Sequence, residues 1–245
     1  MGTILGSFFN VLGMRIPRKE DVLFSRSHCE NCNHILKWYE LIPIISFIIQ
    51  KGKCRECQTK LSYFYPFSEF FLGILFLVSY YSFGFSYELI IALTLSSTFI
   101  LVMVSDLNYL LIPDRFIIIP SIIIFLVTIL NKGIMESLIQ IGYGIISFSF
   151  MYLVMLLGNF IFKKESLGGA DIKLMFLVGL SLSPLLSVVV IFLASIIALP
   201  VSIFLLMKNK EHVIPYGPFL MVGLLIVYFT KMNIEEIFIK ILGLL

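Results

Sequence analysis

The sequence predicts an all-α polytopic membrane protein with about eight transmembrane helices and a small cytoplasmic zinc-binding loop domain. The 245 residues are 59% hydrophobic and 13% charged, and the mean hydropathy is +1.02. Soluble domains are typically about 45–50% apolar and about 25% charged, so most of this chain belongs in lipid. Apolar runs also recur along nearly its whole length. The net charge of +3 is too small to indicate a nucleic-acid partner.

Eight apolar segments are predicted as helices, near residues 1–14, 65–83, 88–105, 115–131, 138–162, 170–182, 184–206 and 216–230. Helices satisfy their own backbone hydrogen bonds, as a segment in lipid must. The first segment lacks the preceding basic residues of a secretory signal peptide, so a retained helix is predicted. The resulting organisation is a first transmembrane helix at 1–14, a cytoplasmic domain at 15–64 and a transmembrane core at 65–245.

The distribution of basic residues predicts the orientation of the bundle. With the N-terminus outside, 15 of the 18 lysines and arginines lie in cytoplasmic segments, and only Lys132, Lys231 and Lys240 lie outside. Cytoplasmic segments of membrane proteins carry an excess of Lys and Arg. The opposite orientation would reverse this bias. The 15–64 segment is therefore predicted to be cytoplasmic.

All four cysteines lie in that segment as two C-x-x-C pairs, Cys29 with Cys32 and Cys54 with Cys57. Two such pairs have the spacing of a structural zinc site, in which four thiolates leave no position for water. The alternatives are two disulfides or four unrelated thiols, and a reducing cytoplasm disfavours disulfides. His28 and His34 flank the first pair. Because four thiolates fill the shell, both are predicted to be surface histidines.

Carboxylates near lipid are functional candidates because they are costly to retain there. Those that qualify are Glu69, Asp106, Asp114 and Asp171. Asp106 ends a long apolar run, where the helix dipole disfavours a negative charge. Asp171 opens another apolar helix directly after Gly168, Gly169 and Ala170. In the predicted topology Asp106 and Asp171 lie at the same, cytoplasmic face.

Two carboxylates that share a proton suit hydrolysis, because one activates water while its protonated partner polarises a carbonyl. Gly168 and Gly169 would let a peptide substrate or a neighbouring helix approach closely. At several of these positions a structural role is an alternative to a functional one. Asp114, and to a lesser degree Asp171, suit a helix N-cap, and Glu69 suits the membrane interface. Lys173 is predicted to reach the cytoplasmic surface or to neutralise a carboxylate.

Taken together, the ordered motifs resemble the type IV prepilin peptidase family, also called the prepilin leader peptidase and N-methyltransferase group. The resemblance runs nearly end to end. Its segments are Gly6 to Val11 with Arg15-Ile16-Pro17, the cysteine pairs with Trp38 to Pro43 between them, Tyr65 to Glu69, Asp106 to Asp114, Gly168 to Lys173, and Ile214 to Phe219. The family often has glycine immediately before its second catalytic aspartate, and here that position is Ala170.

The resemblance implies that Asp106 and Asp171 are the catalytic aspartates, with Asp114, Lys173, Gly168, Gly169 and Glu69 in supporting roles. It implies cleavage of basic leader peptides from prepilins or pseudopilins at the prokaryotic plasma membrane. Methylation of the new N-terminus with S-adenosylmethionine is also implied, since the cysteine-bearing loop is similar to that of the bifunctional branch. The sequence shows no glycine-rich loop of a soluble methyltransferase.

Two other functional classes are open to a chain of this composition. In an ion-coupled transporter, intramembrane carboxylates would relay protons or bind a cation. Transporters of this kind often carry internal repeats with interrupted helices, and no such repeat is evident here. A noncatalytic scaffold with a docking zinc domain is the third possibility, but it leaves Asp106 and Asp171 without a role.

Overall fold

The computed structural model describes residues 1–22, 25–29, 31–163, 168–207 and 214–241. Across these residues the regular secondary structure is helical, with one 3-10 turn at Trp38–Glu40 and two isolated β-bridges. The helices are α1 (Gly2–Arg15), α2 (Ile45–Ile49), α3 (Phe64–Phe83), α4 (Tyr87–Tyr109), α5 (Arg115–Lys132), α6 (Ile134–Phe162), α7 (Gly169–Ser181), α8 (Pro184–Met207) and α9 (Gly217–Ile241).

Each of the eight predicted segments corresponds to a helix, and the differences lie at the ends. The loop predicted between residues 131 and 138 is wrong, because Gly133 alone separates α5 from α6. Its φ of +87° is open to glycine at no steric cost, so one residue suffices for the turn. The last helix continues to Ile241 rather than ending near residue 230.

Five of the described helices, α3, α4, α5, α6 and α8, are long and apolar enough to cross a membrane. The chain is therefore a multi-pass membrane protein. Helix α1 has 14 residues and α7 has 13, which is about 20 Å at 1.5 Å per residue, against a hydrocarbon core of about 30 Å. Helix α9 adds a described apolar stretch over Gly217–Thr230. The count of eight spans remains a prediction.

Helix α4 lies at the centre of the bundle, in contact with α1, α3, α5 and α9. In its most apolar window 67% of the residues are buried, against 17% in α6. Short α7 is enclosed by α5, α6, α8 and α9, and it buries Leu174, Met175 and Leu177 completely. The two helices that carry Asp106 and Asp171 are thus interior helices.

Helix α1 packs tightly against α3 and α4 through a face of small residues. Its buried positions are Gly2, Gly6, Asn10 and Gly13. A Cβ built at any of the three glycines would come within 2.7–2.9 Å of atoms in α3 or α4. Small residues allow such close approach between membrane helices. Asn10 adds a buried polar contact, since its Oδ1 accepts a 2.8 Å hydrogen bond from Ser68.

Polar side chains meet at the end of the bundle opposite the aspartates. Glu88 of α4, Lys132 of α5, Gln140 of α6 and Ser181 of α7 line a small, partly open cavity of about 40 Å³. The start of α4 thus meets the end of α5, the start of α6 and the end of α7. These four helices therefore run alternately up and down, as the sequence predicts for successive spans.

Candidate active site

Asp106 lies in the last turn of α4 with a side chain enclosed by protein. The residue is 6% exposed, and its Oδ2 accepts a 3.2 Å hydrogen bond from the Gly217 amide at the start of α9. Helix α4 ends at Leu110 in the left-handed conformation, and the Leu110 amide donates to the Asp106 carbonyl at 2.9 Å. Ser105 closes the following turn by donating to the Leu111 carbonyl. The backbone around Asp106 is therefore fixed on both sides.

Asp171 lies in the first turn of α7 and is 7% exposed. The suggestion that Asp171 is an N-cap is wrong, because Gly168 occupies that position and Asp171 is the third helical residue. Its carboxylate lies back over the cap, so that a Cβ at Gly168 would meet Oδ2 at 3.0 Å. A helix N-terminus favours a negative charge. Ala170 lies within the helix, where a Cβ is ordinary.

The fold brings these two carboxylates together from helices far apart in sequence. Helices α4 and α7 each contact α9, and the charge of Asp106 acts electrostatically on Asp171. Like charges held close in a buried site cannot both ionise at low cost, so such a pair exchanges protons as a unit. The arrangement therefore places two ionisable carboxylates within electrostatic range of each other.

The start of α9 completes this site, and the sequence reasoning assigned it no role. Besides the Gly217 amide, Tyr216 lies within electrostatic range of Asp171. The Tyr216 hydroxyl donates to the Ile191 carbonyl at 3.2 Å and lies 3.1 Å from Ser195 Oγ. The sequence feature that could have pointed to this region is the glycine between two prolines in Pro215-Tyr216-Gly217-Pro218. That pattern indicates a special backbone position, but not what it contacts.

Asp114 and Lys173 form an exposed ion pair near the carboxylate pair. Asp114 occupies the N-cap position of α5, as predicted, but its side chain makes no capping hydrogen bond. Lys173 Nζ instead donates to Asp114 Oδ1 at 2.7 Å. The pair stands at the rim of an apolar groove of about 550 Å³ between α5, α6 and α7. Lys173 thus neutralises a carboxylate, which was one of the two roles predicted for it.

Glu69 is buried within the protein. It is 7% exposed, and its Oε2 accepts a 2.8 Å hydrogen bond from the Ile44 amide. Ile44 has a φ of +62°, a strained conformation for a β-branched residue. Glu69 therefore ties the cysteine-bearing segment to α3. No described contact places it at the aspartate pair.

The two glycines before Asp171 differ in their surroundings. Among the described residues, Gly169 has nothing within 4 Å of a Cβ position, and Gly168 is approached only by Asp171. No neighbouring helix comes close to either glycine in this part of the structure. Of the two predicted alternatives, the structure therefore leaves room for a peptide substrate beside these glycines.

The four cysteines converge on one point, as their spacing predicted. All are free thiols, and their sulfurs lie within 4.8 Å of one another. Cys29 Sγ is 3.8 Å from Cys57 Sγ, and Cys32 Sγ is 3.9 Å from Cys54 Sγ. Tetrahedral zinc with bonds of about 2.3 Å places its sulfurs about 3.8 Å apart. The cluster therefore fits a four-thiolate metal site.

Two equivalent backbone turns hold the thiols. The Cys29 amide donates to the His34 carbonyl and the Cys54 amide to the Thr59 carbonyl, each at 2.9 Å. In both turns the residue after the second cysteine, Asn33 or Gln58, has a φ of +57°. The sequence thus builds the same knuckle twice, and each knuckle presents two sulfurs to one ion.

A buried carboxylate links the two knuckles. Glu40 accepts hydrogen bonds from the Lys37 amide at 2.9 Å and from His34 Nε2 at 3.2 Å, and Arg55 Nε lies 3.7 Å away. Burial alone would raise the pKa of Glu40, but the Lys37 amide, His34 and Arg55 together hold it below its ordinary value. His28 is exposed as predicted. His34 is half-buried and its ring contacts Glu40, so it is less exposed than His28.

Comparison with known proteins assigns this architecture to a family. The family model described as the bacterial peptidase A24 N-terminal domain matches residues 1–83, and that of the type IV leader peptidase family matches residues 93–203. A prepilin leader peptidase/N-methyltransferase of Bacillus subtilis is 31% identical over 98% of this chain and 95% of its own. The chain belongs to the type IV leader peptidase family.

Further relatives extend the similarity to other bacteria. A prepilin leader peptidase/N-methyltransferase of Myxococcus xanthus is 32% identical over 73% of this chain and 53% of its own. A protein of that description from Vibrio cholerae is 28% identical over 93% of both. No solved structure matches the chain significantly. Within this type IV leader peptidase family member, Asp106 and Asp171 lie in the second matched region, and Gly217 lies beyond both.

Proposed function

We propose that this chain is an intramembrane aspartyl endopeptidase that removes the leader peptide from type IV prepilin-like proteins at the cytoplasmic face of the membrane. The observation that carries the proposal is a pair of buried carboxylates, Asp106 of α4 and Asp171 of α7, that lie within electrostatic range of each other. Membership of the type IV leader peptidase family supplies the substrate class. The bilayer and a prepilin or pseudopilin are the partners.

In the proposed reaction, one carboxylate accepts a proton from water while the other, protonated, donates a hydrogen bond to the scissile carbonyl. The water oxygen bonds to the carbonyl carbon to form a tetrahedral intermediate. The carbon–nitrogen bond then breaks, and the departing amine takes a proton from the pair. Asp106 and Asp171 suit these roles because burial excludes bulk water and strengthens their interactions.

The cysteine-bearing domain is proposed to hold one structural zinc ion through Cys29, Cys32, Cys54 and Cys57. When bound, the ion would supply a crosslink between the two knuckles. Four thiolates leave no open coordination position, so no catalytic step is assigned to the metal. About fifty residues bury little core of their own, which makes such a crosslink physically useful.

N-methylation of the mature N-terminus is the second proposed activity, with S-adenosylmethionine as the methyl-donating co-substrate. Its support is narrower, since it comes from the printed descriptions of relatives as prepilin leader peptidase/N-methyltransferases. The transferred methyl group would leave the donor's sulfur and bond to the new amine, which loses a proton.

One experiment separates these activities. The purified protein in detergent is incubated with a prepilin, with and without S-adenosylmethionine, and the mass of the mature N-terminal peptide is measured. A shortened peptide supports the peptidase proposal. An additional mass of about 14 Da that requires the donor supports methylation. An unchanged substrate in the presence of folded, metal-loaded protein would contradict the proposed function.

The proposed orientation can be tested by fusing reporters to successive connections. We expect a fluorescent protein fused after Lys60 to lie in the cytoplasm, and alkaline phosphatase fused after Gly84 or Gly133 to be active outside. The reason is that 15 of the 18 basic residues then lie inside. Reciprocal fusions at each site provide the control. Fusions after Lys60 and Gly84 that report the same side would show that α3 does not span.

Asp114→Asn is expected to retain cleavage to within about fivefold, since an exposed ion pair contributes about 0–1 kcal/mol. Both side chains of the Asp114–Lys173 pair are more than half exposed. Steady-state cleavage of a prepilin peptide measures the effect, and Lys173→Met, which removes the other member, is the matched control. A loss of more than about a hundredfold in Asp114→Asn alone would place Asp114 in the chemistry itself.

A further inference from the structure

The start of α9 approaches Asp106 more closely than any side chain at that position would allow. A Cβ built at Gly217 would meet Asp106 Oδ2 at 2.9 Å, Ile112 Cδ1 at 2.7 Å and Val102 Cγ1 at 3.1 Å. Contacts below 3.0 Å force something to move. Ile112 could yield by a rotation of its terminal carbon, but the carboxylate is already held by a hydrogen bond. Glycine is therefore the residue that fits beside Asp106.

The Gly217 amide also has a physical need for this partner. The first amides of a helix lack carbonyl partners within it, and a buried unpaired amide is costly. Gly217 is the first residue of α9, and the next residue, Pro218, has no amide hydrogen to offer. The Gly217 amide donates to Asp106 Oδ2 at 3.2 Å. The carboxylate and the amide thus satisfy each other in a buried place.

We propose that Gly217 is a positioning residue that holds the Asp106 carboxylate in its working orientation, through both its amide and its missing side chain. This inference rests on the proposed peptidase function and adds α9 to the machinery that α4 and α7 provide. Asp106 is thereby fixed from two directions, since α4 sets its backbone and α9 sets its side chain. A misplacement of about 1 Å can lower a rate by about 10²-fold.

The test is Gly217→Ala in the full-length protein. We expect kcat for prepilin cleavage to fall by about 10²-fold while KM stays within about twofold. The double variant Gly217→Ala/Ile112→Val removes the apolar carbon nearest to the new methyl group. It should remain equally slow, because the contact with Asp106 persists. Recovery of kcat in that variant would overturn the proposal, since the loss would then come from apolar crowding.

Gly223→Ala is the matched control on the same helix. A Cβ there would meet the Val190 carbonyl at 2.9 Å, so it strains the packing of α8 on α9 without touching an aspartate. We expect this variant to lower the melting temperature but to keep kcat per folded molecule within about threefold. A loss of kcat equal to that of Gly217→Ala would overturn the proposal and indicate a general need for close α9 packing.

A measurement without substrate distinguishes this inference from the proposed function. In an Ile112→Val background, the fall in melting temperature caused by Gly217→Ala should be smaller when Asp106 is also replaced by alanine, because the obstructing carboxylate is gone. An unchanged fall would refute the contact. Wild-type protein that cleaves no prepilin would refute the peptidase proposal, whereas cleavage at the normal rate by Gly217→Ala would refute only the positioning role.

Discussion

Replacing either Asp106 or Asp171 with asparagine is expected to lower prepilin cleavage by about 10²–10⁴-fold, the usual contribution of a general acid or base. Asparagine keeps the size of the side chain but cannot exchange a proton. Both positions are buried, and removal of a buried negative charge does not leave an unpaired ion behind. The folded state should therefore persist, as judged by detergent-solubilised yield and thermal unfolding.

The double variant Asp106→Asn/Asp171→Asn provides a sharper test than either single change. If the two residues serve one step, their losses will not multiply, and the double variant will be about as slow as the slower single one. Losses that multiply would show that the two carboxylates act in separate steps. A folded Asp106→Asn variant with a near-normal rate would refute the assignment of this pair.

The runner-up assignment pairs Asp114 with Asp171. The structure gives Asp114 a different environment, because its side chain is 59% exposed and already bound to Lys173. The negative charge of Asp114 is thus already balanced by a neighbouring cation. The electrostatic contact of Asp171 is with Asp106. These observations favour the first pair, and the two asparagine variants decide between them.

An ion-coupled transporter remains the alternative from another functional class. Its carboxylates would bind a cation or relay protons across the bundle. In the structure Asp106 and Asp171 meet at the ends of α4 and α7, whereas the polar residues at the other ends surround a small separate cavity. Family membership also favours the peptidase. Cleavage by the wild type that is lost in Asp171→Asn would exclude transport as an explanation for the pair.

Much of this fold follows from sequence alone because lipid imposes a simple pattern. Long apolar runs in a membrane must be helical, so all eight segments were predictable. The two C-x-x-C pairs likewise predict that the four cysteines form one cluster. The Gly133 turn escaped prediction because hydropathy does not register the backbone conformation of one glycine. The length of α9 escaped because its last residues, from Lys231 onward, include charged side chains.

The candidate site was predictable only in part. Asp106 and Asp171 stand out because carboxylates are costly beside lipid, but sequence cannot show that Gly217 meets Asp106 across 111 positions. The same limit applies to Asp114. Its position in the sequence predicts a helix cap, but in the structure its side chain binds Lys173, which is 59 positions away. The prediction for Glu69 likewise used only its neighbours in sequence, whereas in the structure its carboxylate accepts a hydrogen bond from the Ile44 amide. Pairings between distant segments depend on how the helices pack.

Loss of the metal is the second large effect that we expect. The purified protein should contain about one zinc ion per chain, and Cys29→Ser or Cys54→Ser should abolish that content. Binding of structural zinc is worth about 10–16 kcal/mol in small domains at neutral pH, so residues 15–64 should lose their fold with it. Metal analysis and limited proteolysis of this segment measure the two consequences.

His28→Ala and His34→Ala are the matched controls, because they alter the nearest other metal-binding side chains without touching a sulfur. Both should retain full zinc, since four thiolates complete the shell. His34→Ala should loosen the segment only modestly, because Glu40 keeps the Lys37 amide and Arg55 as partners. Zinc loss in His34→Ala would place that ring in the shell in place of a thiolate. A bound zinc ion should protect its four cysteine ligands from a thiol reagent. Native protein that contains no metal, and in which all four cysteines react with the reagent, would therefore refute the site.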